Sequence, residues 1–325
     1  MTAYLLRRLL SALFTLLGIA VILFLLFRMM PGDPAAQVIS PALDEAAQNR
    51  LRQAFGLDLP LSQQFFIYLK NMVTLEWGRS FTSGQPVAEL LGLWLVNTVL
   101  LMSAGLVLAI ALGVVLGIFM AARRGGALDH GATVVGLVFQ ASPPFVIGLL
   151  LLIGFSYQLD LFPSGGMFTP GTSSGSNWDI VMSRDFLEHL VLPTLTITSL
   201  YVATPMLVMR DSMLEVLGSD YVDFARAKGL HPARVLFRHA ARNALLGVVT
   251  VSSLILGFAI GGQVVVETVF SWPGMGKAMV DAALQHDYPV AQASFFLMAA
   301  VVIVLNFLTD LSYSLLDPRI RLGTT

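Results

Sequence analysis

The chain has 325 residues, of which 56% are hydrophobic and 12% charged, about half the charge density of a typical soluble protein. Lys and Arg number 19 against 20 Asp and Glu, a net charge of -1, which excludes a strongly basic nucleic-acid surface. The absence of Cys excludes disulfides, thiolate metal sites and cysteine nucleophiles.

Six apolar runs are long enough to cross a hydrocarbon core of about 30 Å, which takes roughly 20 residues at 1.5 Å rise each. They cover approximately 9–27, 93–122, 132–157, 189–209, 245–270 and 291–316. The expected fold class is all-α, a polytopic membrane protein of six transmembrane helices. The first run follows Arg7-Arg8, is long for a signal peptide and has no Ala-x-Ala site directly after it, so it reads as an uncleaved span. Cytoplasmic loops retain Lys and Arg. Arg7, Arg8, Arg123, Arg124, the group between 210 and 244, Arg319 and Arg321 all fall on one side, which places both termini in the cytoplasm.

Residues 1–92 then form the first span and an extracytoplasmic helical segment, and 93–325 a five-span core that includes the loop 210–244. In the outer segment Pro31-Gly32-Asp33-Pro34 makes a rigid turn, 43–55 reads as an amphipathic helix stopped by Gly56, and Ser62 is placed to cap a second helix containing Phe65, Phe66, Tyr68 and Leu69. Such helices either receive a partner or lie on lipid headgroups. The Gly/Ser-rich stretch 164–176 reads as a flexible outer loop.

In the second span Gly105, Ala109, Gly113, Gly117 and Ala121 recur every four residues, and Ser253, Gly257 and Gly261 do so in the fifth. Small residues at that spacing let helices approach closely, where packing replaces a hydrophobic drive that lipid does not supply. Pro143-Pro144 removes two backbone donors and should bend or break the third span, a bend that serves either as a gate or simply as shape. Asn97, Gln140, Gln263, Glu267, Asn306 and Asp310 are polar groups within or near spans, each lining an aqueous path or bonding to a neighbouring helix. Asn306 and Asp310 share a face, one turn apart. Glu267 sits near an outer mouth, where the plainer expectation is a salt bridge to an outer cation.

The loop 210–244 holds 6 of the 19 basic residues. Asp220 is placed to cap a helix with Asp223 in its first turn and Arg226 and Lys228 in its last, an order the helix dipole favours. Gly229 supplies a left-handed stop and Pro232 suits the first turn of a second helix. The expected product is a helix-turn-helix elbow. On its second helix Arg234, Arg238 and Arg242 stack like charges at i, i+4 and i+8, beside Leu236, Phe237 and Ala240, so that it is stabilised by docking on an acidic, partly apolar partner or on anionic lipid.

The stretch D-Y-V-D-F-A-R-A-K-G-L from Asp220 to Leu230, followed by R-H-A-A-R-N-A-L from Arg238 to Leu245, resembles the coupling loop of ABC-importer permeases of the dipeptide/oligopeptide/nickel branch. L-L-R-R-L-L with P-G-D-P after the first span, S-M-L-E-V-L-G-S-D-Y before the loop, F-S-W-P-G-M-G at 270–276 and L-L-D-P-R-I-R at 315–321 agree, so the resemblance spans nearly the whole chain. Asp223 stands where the general loop pattern has Glu and Phe224 where it has Ala. The resemblance implies an inner-membrane permease of bacteria with a coupling helix formed by Asp220, Tyr221, Asp223, Ala225, Arg226, Lys228, Gly229, Arg234 and Arg238. It implies a homologous second permease, two ATPase subunits that carry the ATP and Mg, and a solute-binding protein, with no cofactor on this chain.

Gly274–Ala278 departs from a phosphate loop, lacking the first Gly and having Ala278 where Ser or Thr is needed, so Trp272-Pro273-Gly274 reads as a turn with an interfacial aromatic. The five His show no metal-ligand spacing, and an outer cation site at Asp281, His286 and Asp287 is less expected than a solvated loop. The rival reading is an ATP-independent channel or secondary carrier whose basic loop rests on lipid, which expects buried ionisable pairs at the midplane.

Overall fold

The computed structural model describes residues 2–29, 59–171, 181, 183–259 and 264–316, with the side chains of 2–5, 29, 256–259 and 310–316 outside the description. The turn at 31–34, the helix at 43–55 with Gly56, Gly261, Gln263, the surroundings of Gly257, the Asp310 side chain and the segment 317–321 therefore lie outside the description.

All the described regular structure is helical. Helix α1 (Thr2–Met29) is the first span, and α2 (Leu61–Thr74) packs on its C-terminal part. The α2 N-cap is Pro60 without a side-chain bond, so Ser62 does not cap it but sits inside its first turn. Phe24 of α1 meets Phe65 and Tyr68 of α2 at centroid distances of 5.2 and 5.6 Å. These contacts bury one face of α2 in the protein, and burial pushes the Tyr68 phenol up to about 12, so it stays neutral.

Helix α3 (Val87–Ala122) has 36 residues, about 54 Å at 1.5 Å each, and so outruns the apolar run at its N-terminal end. It is the axis of the bundle. Its small-residue stripe is buried against α6 (Arg184–Tyr201) and α7 (Ala203–Leu217). A methyl added at Gly105 would lie 2.4 Å from Ile197 Cγ2, one at Gly113 would lie 2.8 Å from Pro205 Cγ, and one at Gly117 would lie 2.6 Å from the Met206 carbonyl oxygen. The close approach read from the spacing is thus a physical seam.

Helix α4 (Ala127–Ala141) and α5 (Pro144–Leu151), which continues as a π-helical turn Leu152–Gln158, meet at 107° across Pro143. The diproline breaks this span, as the missing donors require. Helices α6 and α7 meet at 47°. By length and composition three helices, or up to five counting each bent pair as one span, are able to cross a membrane among the described residues. The fifth expected run is α10 (Ala241–Ala259) followed by α11 (Val264–Val269), and the sixth is α13 (Tyr288–Leu316). Helix α12 (Met275–Leu284) packs on α13 at the end opposite the elbow.

At that far end the loop at 164–171 is held rather than free. The Gly166 amide donates to the Phe270 carbonyl at 2.8 Å, and Thr169 donates through both its amide and its hydroxyl to Asp185 at 2.7 Å. Residues 172–176 lie outside the description. Asp287, expected in a solvated loop, is instead buried and accepts from the Ser80 hydroxyl and the Phe81 and Thr82 amides at 2.5, 3.0 and 3.2 Å.

Candidate functional site

The elbow begins where α7 ends at Gly218. Helix α8 (Asp220–Ala227) has Ser219, not Asp220, at its N-cap, because Ser219 takes the extended conformation while Asp220 is already helical. The Ser219 hydroxyl donates back to the Val216 carbonyl, so the charge of Asp220 and Asp223 in the first turn offsets the dipole without a capping bond. The stop is a Schellman turn. Gly229 has φ +76°, its amide donates to the Arg226 carbonyl at 2.9 Å, and the Leu230 amide donates to the Ala225 carbonyl at 3.4 Å.

The chain restarts at α9 (Pro232–Arg234), with Pro232 in the first turn as expected and His231 Nδ1 accepting from the Ala233 amide at 3.3 Å. It runs on through a π-helical stretch, Val235–Ala240, into α10. The second elbow helix is therefore the continuous N-terminal extension of an expected span, so movement of the elbow is movement of that span.

Two faces divide the elbow. Val222, Ala225 and Val235 are buried against Val216, Leu217 and Leu230, so Ala225 belongs to the inner face and does not reach outward. Outward lie Tyr221, Phe224 (62% exposed) and Phe237, together with Asp220, Arg226, Lys228, Arg234, Arg238 and Arg242. The Lys228 ammonium stands 4.3 Å over the Phe224 ring, Arg226 pairs with Asp223 at 3.0 Å, and Asn243 donates to the Tyr221 hydroxyl at 2.7 Å. A flat aromatic group ringed by cations on a rigid pair of helices suits a groove with apolar and acidic walls.

Arg210 is not part of this surface, although its sequence position counts it with the loop. It lies in α7 and grips the buried Asp129 of α4 through two nitrogens at 2.6 and 2.9 Å, with Asp211 at 2.8 Å as a second acceptor. Asp129 also accepts from the Gly125 amide at 2.9 Å. This pair, which sequence reasoning missed, ties the broken third span to the helix that leads into the elbow. Its available signal was an Arg at the very end of the apolar run 189–209, a position that needs a partner beyond the neighbouring Asp211.

The remaining polar candidates are dispersed. Gln140 donates to the Thr204 hydroxyl at 3.2 Å, Asn306 is exposed on α13, and Pro143 with Pro144 forms the sharp bend already described. Asn97 donates to the Pro273 carbonyl at 2.9 Å and receives the Trp272 indole N–H on its own carbonyl at 3.1 Å. Trp272 is fully buried beside Phe186, at 5.9 Å, and is not an interfacial aromatic. Glu267 is 0% exposed. Its partners are the Thr98 hydroxyl and backbone amides, while the nearby Lys277 ammonium turns to Asp281, so among the described residues no cation forms the expected salt bridge.

Residues 113–322 match the family described as binding-protein-dependent transport system inner membrane component, and residues 1–107 match the N-terminal part of such membrane components. The chain is 39% identical to the oligopeptide transport system permease protein AppB of Bacillus subtilis, over 99% of this chain and 100% of that one. It is 38% identical to the di/tripeptide transport system permease protein DppB of Pseudomonas aeruginosa, with 99% of each chain covered. It is 35% identical to the glutathione transport system permease protein GsiC of Escherichia coli K12, again with 99% of each covered. Among solved structures, a chain of the inward-facing MetNI methionine ABC transporter superposes with a TM-score of 0.55 at 14% identity, covering 72% of this chain and 99% of that one, which shows a shared fold.

Proposed function

The chain belongs to the family of binding-protein-dependent transport system inner membrane components, and from that premise we propose that it admits short peptides, driven by a separate ATPase that grips the elbow. Family membership makes it a multi-pass inner-membrane permease of an ABC importer, a component without ATPase activity or cofactor of its own, working with ATPase and binding-protein partners. The peptide assignment rests on full-length relatives named for oligopeptides, di/tripeptides and glutathione, which share an amide backbone with free charged ends.

Six spans enclose half a path, so the cavity forms against a homologous second permease, and two ATPase subunits serve the pair. The elbow faces the cytoplasm, α2 and α12 the outside, as the distribution of Lys and Arg indicates. ATP binding closes the ATPases and shifts the elbow, which moves the bundle between inward- and outward-facing states.

One observation carries the coupling: Phe224 stands 62% exposed on a helix whose opposite face is fixed by buried Val222 and Ala225. An exposed aromatic on a rigid support is the kind of anchor that dominates protein interfaces, where truncation costs 2 kcal/mol or more. Phe224→Ala should weaken binding of the cognate ATPase roughly 30-fold, since each 1.4 kcal/mol is tenfold, with the permease's unfolding temperature unchanged. Titration of labelled ATPase into permease held in lipid nanodiscs reads this. An unaltered affinity would count against docking through the elbow and in favour of lipid contact.

A further inference from the structure

At the end of the bundle opposite the elbow, two segments far apart in sequence are joined through one carboxylate. Glu267 of α11 accepts from the Thr98 hydroxyl of α3 at 2.6 Å and from the Lys277 amide of α12 at 2.8 Å, and the Gly276 amide lies on the same group. The Thr98 hydroxyl oxygen in turn accepts from the Met275 amide at 2.8 Å. One residue earlier, Asn97 holds Pro273 and Trp272 through the two bonds already described.

The glycines of W-P-G-M-G follow from this. A methyl at Gly274 would fall 2.3 Å from the Glu267 carboxyl, and one at Gly276 would fall 3.1 Å from Oε2. Gly274 has φ -104°, which any residue adopts, so it is required for room and not for backbone freedom. A buried carboxylate without a cation is tolerated only where such donors satisfy it. Here they all come from the two elements it joins.

We propose that Glu267 is a positioning residue for transport: it fixes the outer helix α12 to α3 so that the two move as one body. Helix α3 runs the length of the bundle and rests on α7 at its other end, where Gly113 and Gly117 allow backbone contact, and α7 leads directly into the elbow. A displacement of the elbow then reaches the outer mouth through packed helices rather than through a loop. The direction of force rests on the ATP-driven reading above. The rigid link does not.

The absence of native Cys lets Leu93→Cys and Val280→Cys, both exposed positions, carry spin labels in the assembled transporter. With this link through Glu267 intact, the native latch, the label-to-label distance should be narrow and the same in nucleotide-free and ATP-bound states. Glu267→Gln places an N–H donor against donors, and Thr98→Val removes the hydroxyl. In both the distribution should broaden at least twofold, and solute moved per ATP hydrolysed should fall about tenfold, a typical coupling free energy, with complex assembly retained. Thr98→Ser should restore both readings.

A native-latch spacing that shifts by several ångströms between states would overturn the proposal. So would Glu267→Gln with a narrow distribution and normal uptake, or loss of assembly in all three variants, which would leave the carboxylate a folding role only. Failure of the ATP-driven reading registers elsewhere, as unchanged ATPase affinity in Phe224→Ala, and leaves these distances as they are.

Discussion

A Gly117→Leu variant should reach the membrane and fail to fold there. The first carbon of the new side chain would sit 2.6 Å from the Met206 carbonyl oxygen, 2.7 Å from Met209 Cβ and 3.0 Å from the Arg210 amide nitrogen. Two of these are backbone atoms of α7 and do not rotate away. The helices must separate, and in lipid no hydrophobic drive compensates for the lost contact. Overpacking costs about 1–3 kcal/mol even where side chains yield, a large share of the roughly 5–15 kcal/mol that separates folded from unfolded protein. The displacement also draws Arg210 away from the buried Asp129. Gly92, on the same helix, has nothing within 4 Å of an added methyl, so Gly92→Leu serves as control. The monodisperse fraction after detergent extraction should fall at least several-fold for Gly117→Leu and stay at the native level for Gly92→Leu.

Gly229→Pro should give the opposite pattern, a folded permease that does not transport. Proline needs φ near -65° and has no amide hydrogen. Position 229 has φ +76° and donates to Arg226. The Schellman turn is lost, and with it the angle between α8 and the restart at Pro232. Nothing lies within 4 Å of an added methyl at Gly229, so the bundle is untouched and the unfolding temperature should match the native chain. ATP-driven uptake in vesicles should drop to background. Gly229→Ala keeps the amide and meets only the left-handed strain of about 1–2 kcal/mol, so it should retain part of the uptake. Equal uptake by the native and proline forms would mean that the shape of the elbow is irrelevant.

What was legible in the sequence is what repeats locally. Apolar runs announce spans because lipid thickness sets their length, Pro143-Pro144 announces a break because it removes donors, and Gly229 with Pro232 announces a turn through backbone preference. The glycine seam of α3 shows as a four-residue period. The illegible part is pairing across the bundle. Asp129 meets Arg210 across 81 residues, Thr98 meets Glu267 across 169, and Ser80 meets Asp287 across 207. No local period encodes such partners, since they depend on how helices are rotated and stacked. The same limit explains Trp272, which reads as interfacial by composition and is buried because Asn97 receives its indole N–H inside the bundle. Ser219 against Asp220 at the cap is a one-residue matter, and the π-helical stretch after Arg234 a change of helix type, and neither is set by the local pattern of residues.

Ala227, the last residue of α8, is exposed on the elbow and stands in a chain with no competing thiol. With Ala227→Cys carrying a photoactivated cross-linker in the assembled, transporting complex, irradiation should join the permease to its ATPase subunit, in a yield that changes when ATP is added. Adducts to lipid alone, with uptake intact, would contradict an elbow seated on an ATPase.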